Sequence, residues 1–174
     1  MHDENSLLIA RQMISSNTNV KLLYQSLGPQ TAAYREALGK YANGQVTQSY
    51  WDENAKYPCP WFGSAKGFAD YYRANFKRPL TYHMASAAAC IVTYAQAMKN
   101  VGSIDPPRVR DALAAMDFPC FYGRIKFTGD GDGDPLLLGP LVAQVQGGQL
   151  KVVHPETAAT ASPVYPVPAW PQRS

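Results

Sequence analysis

The sequence predicts an α/β fold built of parallel-sheet units with a terminal antiparallel hairpin, and three stretches carry that reading. Ser6 to Ser15 sets Leu7, Leu8, Met13 and Ile14 beside Arg11 and Gln12 as an amphipathic helix, and the apolar run VKLLY at Val20 to Tyr24 follows as a strand suited to burial on both faces. Helix then strand is half of an α/β unit. At Pro79 to Ser103 a long alanine-rich segment places small or apolar side chains on nearly every face of a helix, as expected of one enclosed by neighbours. From Gly123 the period shortens to two. Residues 123–127, 136–146 and 150–154 read as strands, with Gly147-Gly148 as the turn of the closing hairpin.

Gln25, Ser26, Leu27 and Gly28 stand at the carboxyl end of the first strand. Ligands of open α/β sheets bind at such ends, so Gln25 and Ser26 are candidate contacts, with an ordinary polar loop as the plainer alternative. Pro29 opens a helix, QTAAYREALGKYA, which Asn43-Gly44 closes. Gln45 to Tyr50 alternates weakly as a strand and runs into Trp51. Asp52 to Pro60 holds two prolines and no periodicity, which marks a loop or crossover. Ala65, Phe68, Ala69, Tyr72 and Phe76 then fall at helical spacing behind Ser64, a ready N-cap.

The central helix is bounded by Pro79 and Gly102, and Cys90 reads as part of its buried surface. Tyr82 and His83 occupy its first turn, where free amide donors and the positive dipole end favour a carboxylate; an aromatic plug beside a hydrogen-bonded histidine is the alternative. Asp105 and Pro106 start a further helix with Val109, Leu113 and Met116 inward, and FPCFY at Phe118 to Tyr122 breaks it. His154 reads as a surface residue at a strand end. The tail PVYPVPAWPQRS should run extended, with Tyr165 and Trp170 as anchors.

Hydrophobic residues make up 46 % of the 174 positions and charged ones 17 %, which describes a folded globular chain. A net charge of +3 without any basic run excludes a nucleic-acid footprint. The opening MHDENSLLIARQM has acidic residues where a signal peptide needs basic ones, so no export signal is expected within these residues. Cys59, Cys90 and Cys120 lie too far apart in sequence for a metal motif. Cys59 and Cys120 each follow a proline in a loop, and one disulfide in an oxidising compartment or two free thiols both fit. GDGDGD at Gly129 to Asp134 imitates a calcium loop, but Pro135 replaces its essential glycine and Leu141 its bidentate acid. No nucleophile elbow, phosphate loop, dinucleotide fingerprint or zinc pair occurs, and Asp52-Glu53 are neighbours rather than an opposed acid pair. Neither an enzyme nor a cofactor is expected; aromatic and small polar groups at element ends suit a binding cleft.

In LGPQTAAYREALGKYANGQVTQSYW, in the helical run SAKGFADYYRANFKRPLTYHMASAAACIVTYAQAMKNVGSIDPPRVRDAL, and in FYGRIKFTGDGDGD with the hairpin and tail after it, the chain resembles the carboxyl-terminal half of the type I periplasmic solute-binding proteins of branched-chain amino-acid ABC transporters. The resemblance implies two α/β lobes closing on a small solute. Residues 1–50 become a second-lobe segment, 51–60 a hinge crossover, 61–118 a first-lobe helical segment, 119–154 a β-rich return and 155–174 an extended tail. It further implies an amino-acid-like or aromatic ligand met by Gln25, Ser26, Leu27, Tyr50, Trp51, Tyr82 and His83, a membrane permease as partner, and a periplasmic location for an exported full-length protein. The amino-terminal half, or self-association, should cover apolar surface left on this chain. A ligand-sensing regulatory domain of the same fold and a non-functional truncated fragment are the competing readings.

Overall fold

The computed structural model describes residues 3–137 and 139–174. In chain order the elements are α1 (Asp3–Ser15), α2 (Ala32–Leu38), β1 (Val46–Ser49), β2 (Pro58–Cys59), β3 (Gly63–Ser64), α3 (Ala65–Phe76), α4 (Tyr82–Val101), α5 (Pro106–Ala114), β4 (Asp117–Cys120), β5 (Gly123–Lys126), β6 (Leu141–Gln146) and β7 (Gln149–His154). They divide into two compact units. The first holds the chain up to Ser49 together with Leu141–Ser174, and the second is Tyr50–Pro140.

In the first unit β6 lies between β1 and β7, antiparallel to both, with Val46 opposite Gln144 and Val145 opposite Leu150. Ala10, Tyr34, Leu38, Ala42 and Val145 form its core. Thr31 caps α2 by accepting the Tyr34 N–H at 3.3 Å, and Gly39, at φ 53°, ends the helix before a single 3-10 turn over Gly39–Ala42. The long helix expected from Pro29 is therefore a short one flanked by 3-10 turns. VKLLY is not a strand buried on both faces. It makes one parallel bridge, Tyr24 to Val46, and Val20, Leu22 and Tyr24 are exposed, because β1 pairs with one edge of the segment only. The parallel component of the fold is confined to that bridge among the described residues.

The tail straps this unit. The Trp170 indole N–H donates to the Thr18 carbonyl at 2.7 Å, the Arg173 guanidinium stacks 3.6 Å above the Trp170 ring, and the Val167 N–H donates to Lys21 O at 2.9 Å. Gly44 permits the strap: its φ is 85°, and a Cβ there would stand 2.9 Å from Val167 Cγ1. Tyr165, expected as a second anchor, is 65 % exposed, and Val167 is buried in its stead.

The second unit is organised by aromatic rings. Ser64 caps α3 by accepting the Gly67 N–H at 3.0 Å, and Asp105 caps α5 by accepting the Arg108 N–H at 3.4 Å. Phe121, completely buried, stacks on Phe68 of α3 at 3.9 Å and meets Phe62 edge-on at 5.4 Å. Its carbonyl accepts the Trp51 indole N–H at 2.9 Å. The stretch read as a featureless loop contains β2, which pairs with β3, and the stretch read as a mere helix breaker contains β4, which pairs with β5. Because β4 and β5 pack here, the return to the first unit falls at Leu141 instead of residue 119. GDGDGD forms a turn closed by Thr128 N–H to Asp132 O at 2.8 Å and Asp134 N–H to Lys126 O at 2.9 Å.

Helix α4 ends as its sequence dictates, with Gly102 at φ 58° as the C-cap. It is not enclosed on every side. Ala85, Ala89, Val92, Thr93 and Ala97 are buried, whereas Met84, Cys90, Ile91, Tyr94 and Met98 are exposed, Ile91 by 71 %. Cys90 is thus a surface thiol rather than a core residue. The 3-4-3-4 spacing of Met84, Ala87, Ile91, Tyr94 and Met98 sets a second apolar stripe opposite the first.

Truncating the central ring tests this account of the second unit. Phe121→Ala should lower unfolding stability by about 3–5 kcal/mol, read as a drop in the urea midpoint.

Candidate functional site

The structure gathers Tyr50, Tyr82 and His83 on the second unit. Tyr50 leaves β1 at the start of the unit, and Tyr82 and His83 are the first two residues of α4, so the helix start presents both rings. The Tyr50 and Tyr82 centroids are 5.7 Å apart at 41°, and the His83 ring stacks on Tyr82 at 3.9 Å and 29°. Thr81, the N-cap residue, makes no side-chain cap bond, so its hydroxyl does not occupy the amide donors of the first turn.

Tyr122 joins this row and was not foreseen. It follows Phe121 at the turn between β4 and β5; Phe121 enters the core, and Tyr122, half-buried against the same cluster, hydrogen-bonds the Ser86 side chain and lies within electrostatic reach of Tyr82, Cys90 and Tyr50. Burial raises the Tyr122 phenol above its ordinary pKa, a hydrogen bond with Ser86 pulls it back, and Tyr82 and Tyr50 push it up again. The Tyr82 phenol is also raised, first by burial and then by Tyr50. The result is a wall of aromatic rings, three of them phenols. Such a wall suits apolar or aromatic matter with a hydrogen-bonding group.

Trp51 does not belong to the wall. It is 7 % exposed, its N–H is taken by the Phe121 carbonyl, and its ring meets Phe68 edge-on at 6.0 Å. Gln25, Ser26 and Leu27 lie in the first unit. Gln25 is 3 % exposed and spends its amide internally, donating to Ser6 O at 3.1 Å and accepting at 2.6 Å from the Tyr34 hydroxyl. That hydroxyl also lies 2.7 Å from Gln45 Oε1, and burial pushes its pKa up to about 12. Gln25 is a core tie and not a solute contact, because neither end of its amide faces outward. Ser26 and Leu27 are half-buried, and the Ser26 carbonyl accepts from Gln30 Nε2 at 2.6 Å and Thr47 Oγ1 at 3.1 Å.

The geometry separates residues that support from residues that touch. Gln25→Leu and Trp51→Phe should each cost about 1–3 kcal/mol of stability, because each leaves a buried polar partner unmatched. Denaturant midpoints check this.

No protein-family profile matches the sequence. Solved structures do match it. A protein assigned to a branched-chain amino acid ABC transporter from Silicibacter pomeroyi aligns over 98 % of this chain and 46 % of its own at 17 % identity, with a TM-score of 0.77. The leucine-binding protein LivK from Thermotoga maritima aligns over 87 % of this chain and 41 % of its own at 17 % identity and a TM-score of 0.68. The branched-chain amino acid transporter substrate-binding protein LivJ from Streptococcus pneumoniae, solved with isoleucine, aligns over 86 % and 41 % at 18 % identity and a TM-score of 0.67. The chain spans less than half the length of these structures. Its fold is that of part of a type I periplasmic binding protein.

Proposed function

We propose that this chain, with a partial type I periplasmic-binding-protein fold, is one portion of the substrate-binding component of an ABC uptake transporter. The completed two-lobed protein binds a small amino-acid-like or aromatic solute and delivers it to a membrane permease. The observation that carries this reading is the fold match over nearly the whole chain to branched-chain amino-acid binding proteins. The wall of Tyr50, Tyr82, His83 and Tyr122 supports it, because aromatic rings beside the amide donors of a helix start suit the side chain and carboxylate of such a solute. Ser26 and Leu27 are the contacts proposed from the first unit.

The second apolar stripe of α4 supports completion by further polypeptide. Met84 to Met98 contains no charged residue, and the positions flanking the stripe include Ala88, Cys90 and Ala95. A helix pair exposed to water would carry polar flanks. Apolar flanks suit a helix covered on both sides, and the matched structures hold more than half their length outside the aligned part. A transporter component of this kind works outside the inner membrane, and no described helix is long and apolar enough to cross one.

Thermal-shift screening of the full-length protein against leucine, isoleucine, phenylalanine and benzoate tests the reading. A bound solute at 100 times its Kd adds about 2.7 kcal/mol to the folded state and raises the Tm accordingly. Tyr82→Ala should abolish that rise while leaving the unliganded Tm nearly unchanged. A rise left unchanged in both Tyr82→Ala and Tyr50→Ala removes the wall from the site, and no response to any of the solutes counts against the function.

A further inference from the structure

We propose that Cys59 and Cys120 form a structural disulfide when the protein folds in an oxidising environment, leaving Cys90 as the free thiol. The two residues are distant in sequence and adjacent in space. Strand β2 ends at Cys59, strand β4 ends at Cys120, and the two strands pack together within the second unit. Cys59 is near enough to act electrostatically on the Cys120 thiol. Cys59 is 3 % exposed and Cys120 fully buried, both in the core that contains Trp51, Phe68 and Phe121. Pro58 and Pro119, each immediately before a cysteine, restrict the backbone on both sides of the contact. Cys90 lies on the exposed face of α4 and is absent from that core.

The bond would join the start of the unit to its closing β hairpin and enclose α3, α4 and α5 in one loop of about 60 residues, a length at which cross-linking strongly restricts the unfolded chain. Burial also sets its timing. Burial pushes the Cys120 thiol up to about 12, so in the folded protein this sulfur is almost never a thiolate and exchanges slowly, whereas in the unfolded chain it exchanges freely. Oxidation therefore accompanies folding. The oxidant is a disulfide, either oxidised glutathione or a dithiol oxidoreductase. One cysteine thiolate attacks it to give a mixed disulfide and release one thiol, and the second cysteine displaces the other. Two S–H bonds are lost, one S–S bond forms, and the two electrons and two protons leave in the reduced oxidant.

The pairing does not rest on the transport reading, and its test uses no solute. The 174-residue chain is reduced, unfolded and refolded in a glutathione redox buffer. The refolded protein should be about 2 Da lighter than the reduced one, with one thiol titrating in denaturant, a peptide map linking Cys59 to Cys120, and a Tm on the order of 10 °C above the reduced form. Cys90→Ser, on the exposed face, should refold and oxidise in the same way with no thiol left. Cys59→Ser/Cys120→Ser should show the same Tm with and without reductant. Three free thiols after refolding, a bridge that involves Cys90, or equal Tm values for the oxidised and reduced chains would overturn the proposal.

Discussion

The burial of Phe121 is the constraint on which the second unit depends. Its ring takes a stacked partner from α3 and an edge-on partner from the residues between β2 and β3, and its carbonyl receives the indole of Trp51 from the start of the unit. Three segments distant in sequence are thereby fixed by one residue. The same turn serves the site, since Tyr122 is the next residue and packs half-buried against the cluster that Phe121 anchors. Tyr82 of α4 packs on that cluster as well, and Tyr50 reaches it through the Tyr82 ring. Core and site share one turn.

The first unit achieves order differently, because its sheet is narrow and its ties are largely polar. Gln144 of the middle strand donates to Gly44 O at 3.1 Å and Val164 O at 3.0 Å and accepts the Val164 N–H at 2.8 Å, which pins the tail to the sheet. Arg173 donates to the carbonyls of Pro168, Tyr41 and Asn43, and burial lowers its pKa to about 10. A buried guanidinium held by carbonyls is an expensive fastening unless its hydrogen bonds are nearly complete. The cation-π contact with Trp170 supplies the face of the group that no carbonyl reaches. Proline-rich sequence without regular structure is thus as tightly held as a helix.

Features set within one helical turn were legible in the sequence. Ser64, Gly102 and Asp105 act as the caps their neighbours predict, since a cap requires only the next three or four residues. The hairpin at Gly147-Gly148 was readable for the same reason. Features set by distant partners were not. Trp51 reads as a solute contact as an aromatic ring at a hinge crossing and Gln25 as a polar group at a strand end, yet Phe121 lies 70 positions from one and Ser6 lies 19 from the other. Tyr165 and Trp170 look equivalent in the tail, and only the latter finds a carbonyl for its N–H. The short strands β2 and β4 contain proline at positions where propensity argues against a strand, and pairing with β3 and β5 outweighs it.

Helix α4 shows how composition and burial come apart. Alanine brings its inner face close to the aromatic core, so the small residues Ala85, Ala89 and Ala97 contribute by what they let approach rather than by the area they bury. The large side chains Ile91, Tyr94 and Met98 are on the other face, where each would gain roughly 1.5–3 kcal/mol if removed from water. A helix stabilised only by its own core would have no use for such residues there and would carry charges for solubility. Their presence, together with a run of fifteen positions free of charge, gives α4 two apolar faces, one buried in the aromatic core and one exposed. Polar replacements at Ile91 and Tyr94 therefore bear on assembly, whereas enlarging Ala85 or Ala89 bears on folding.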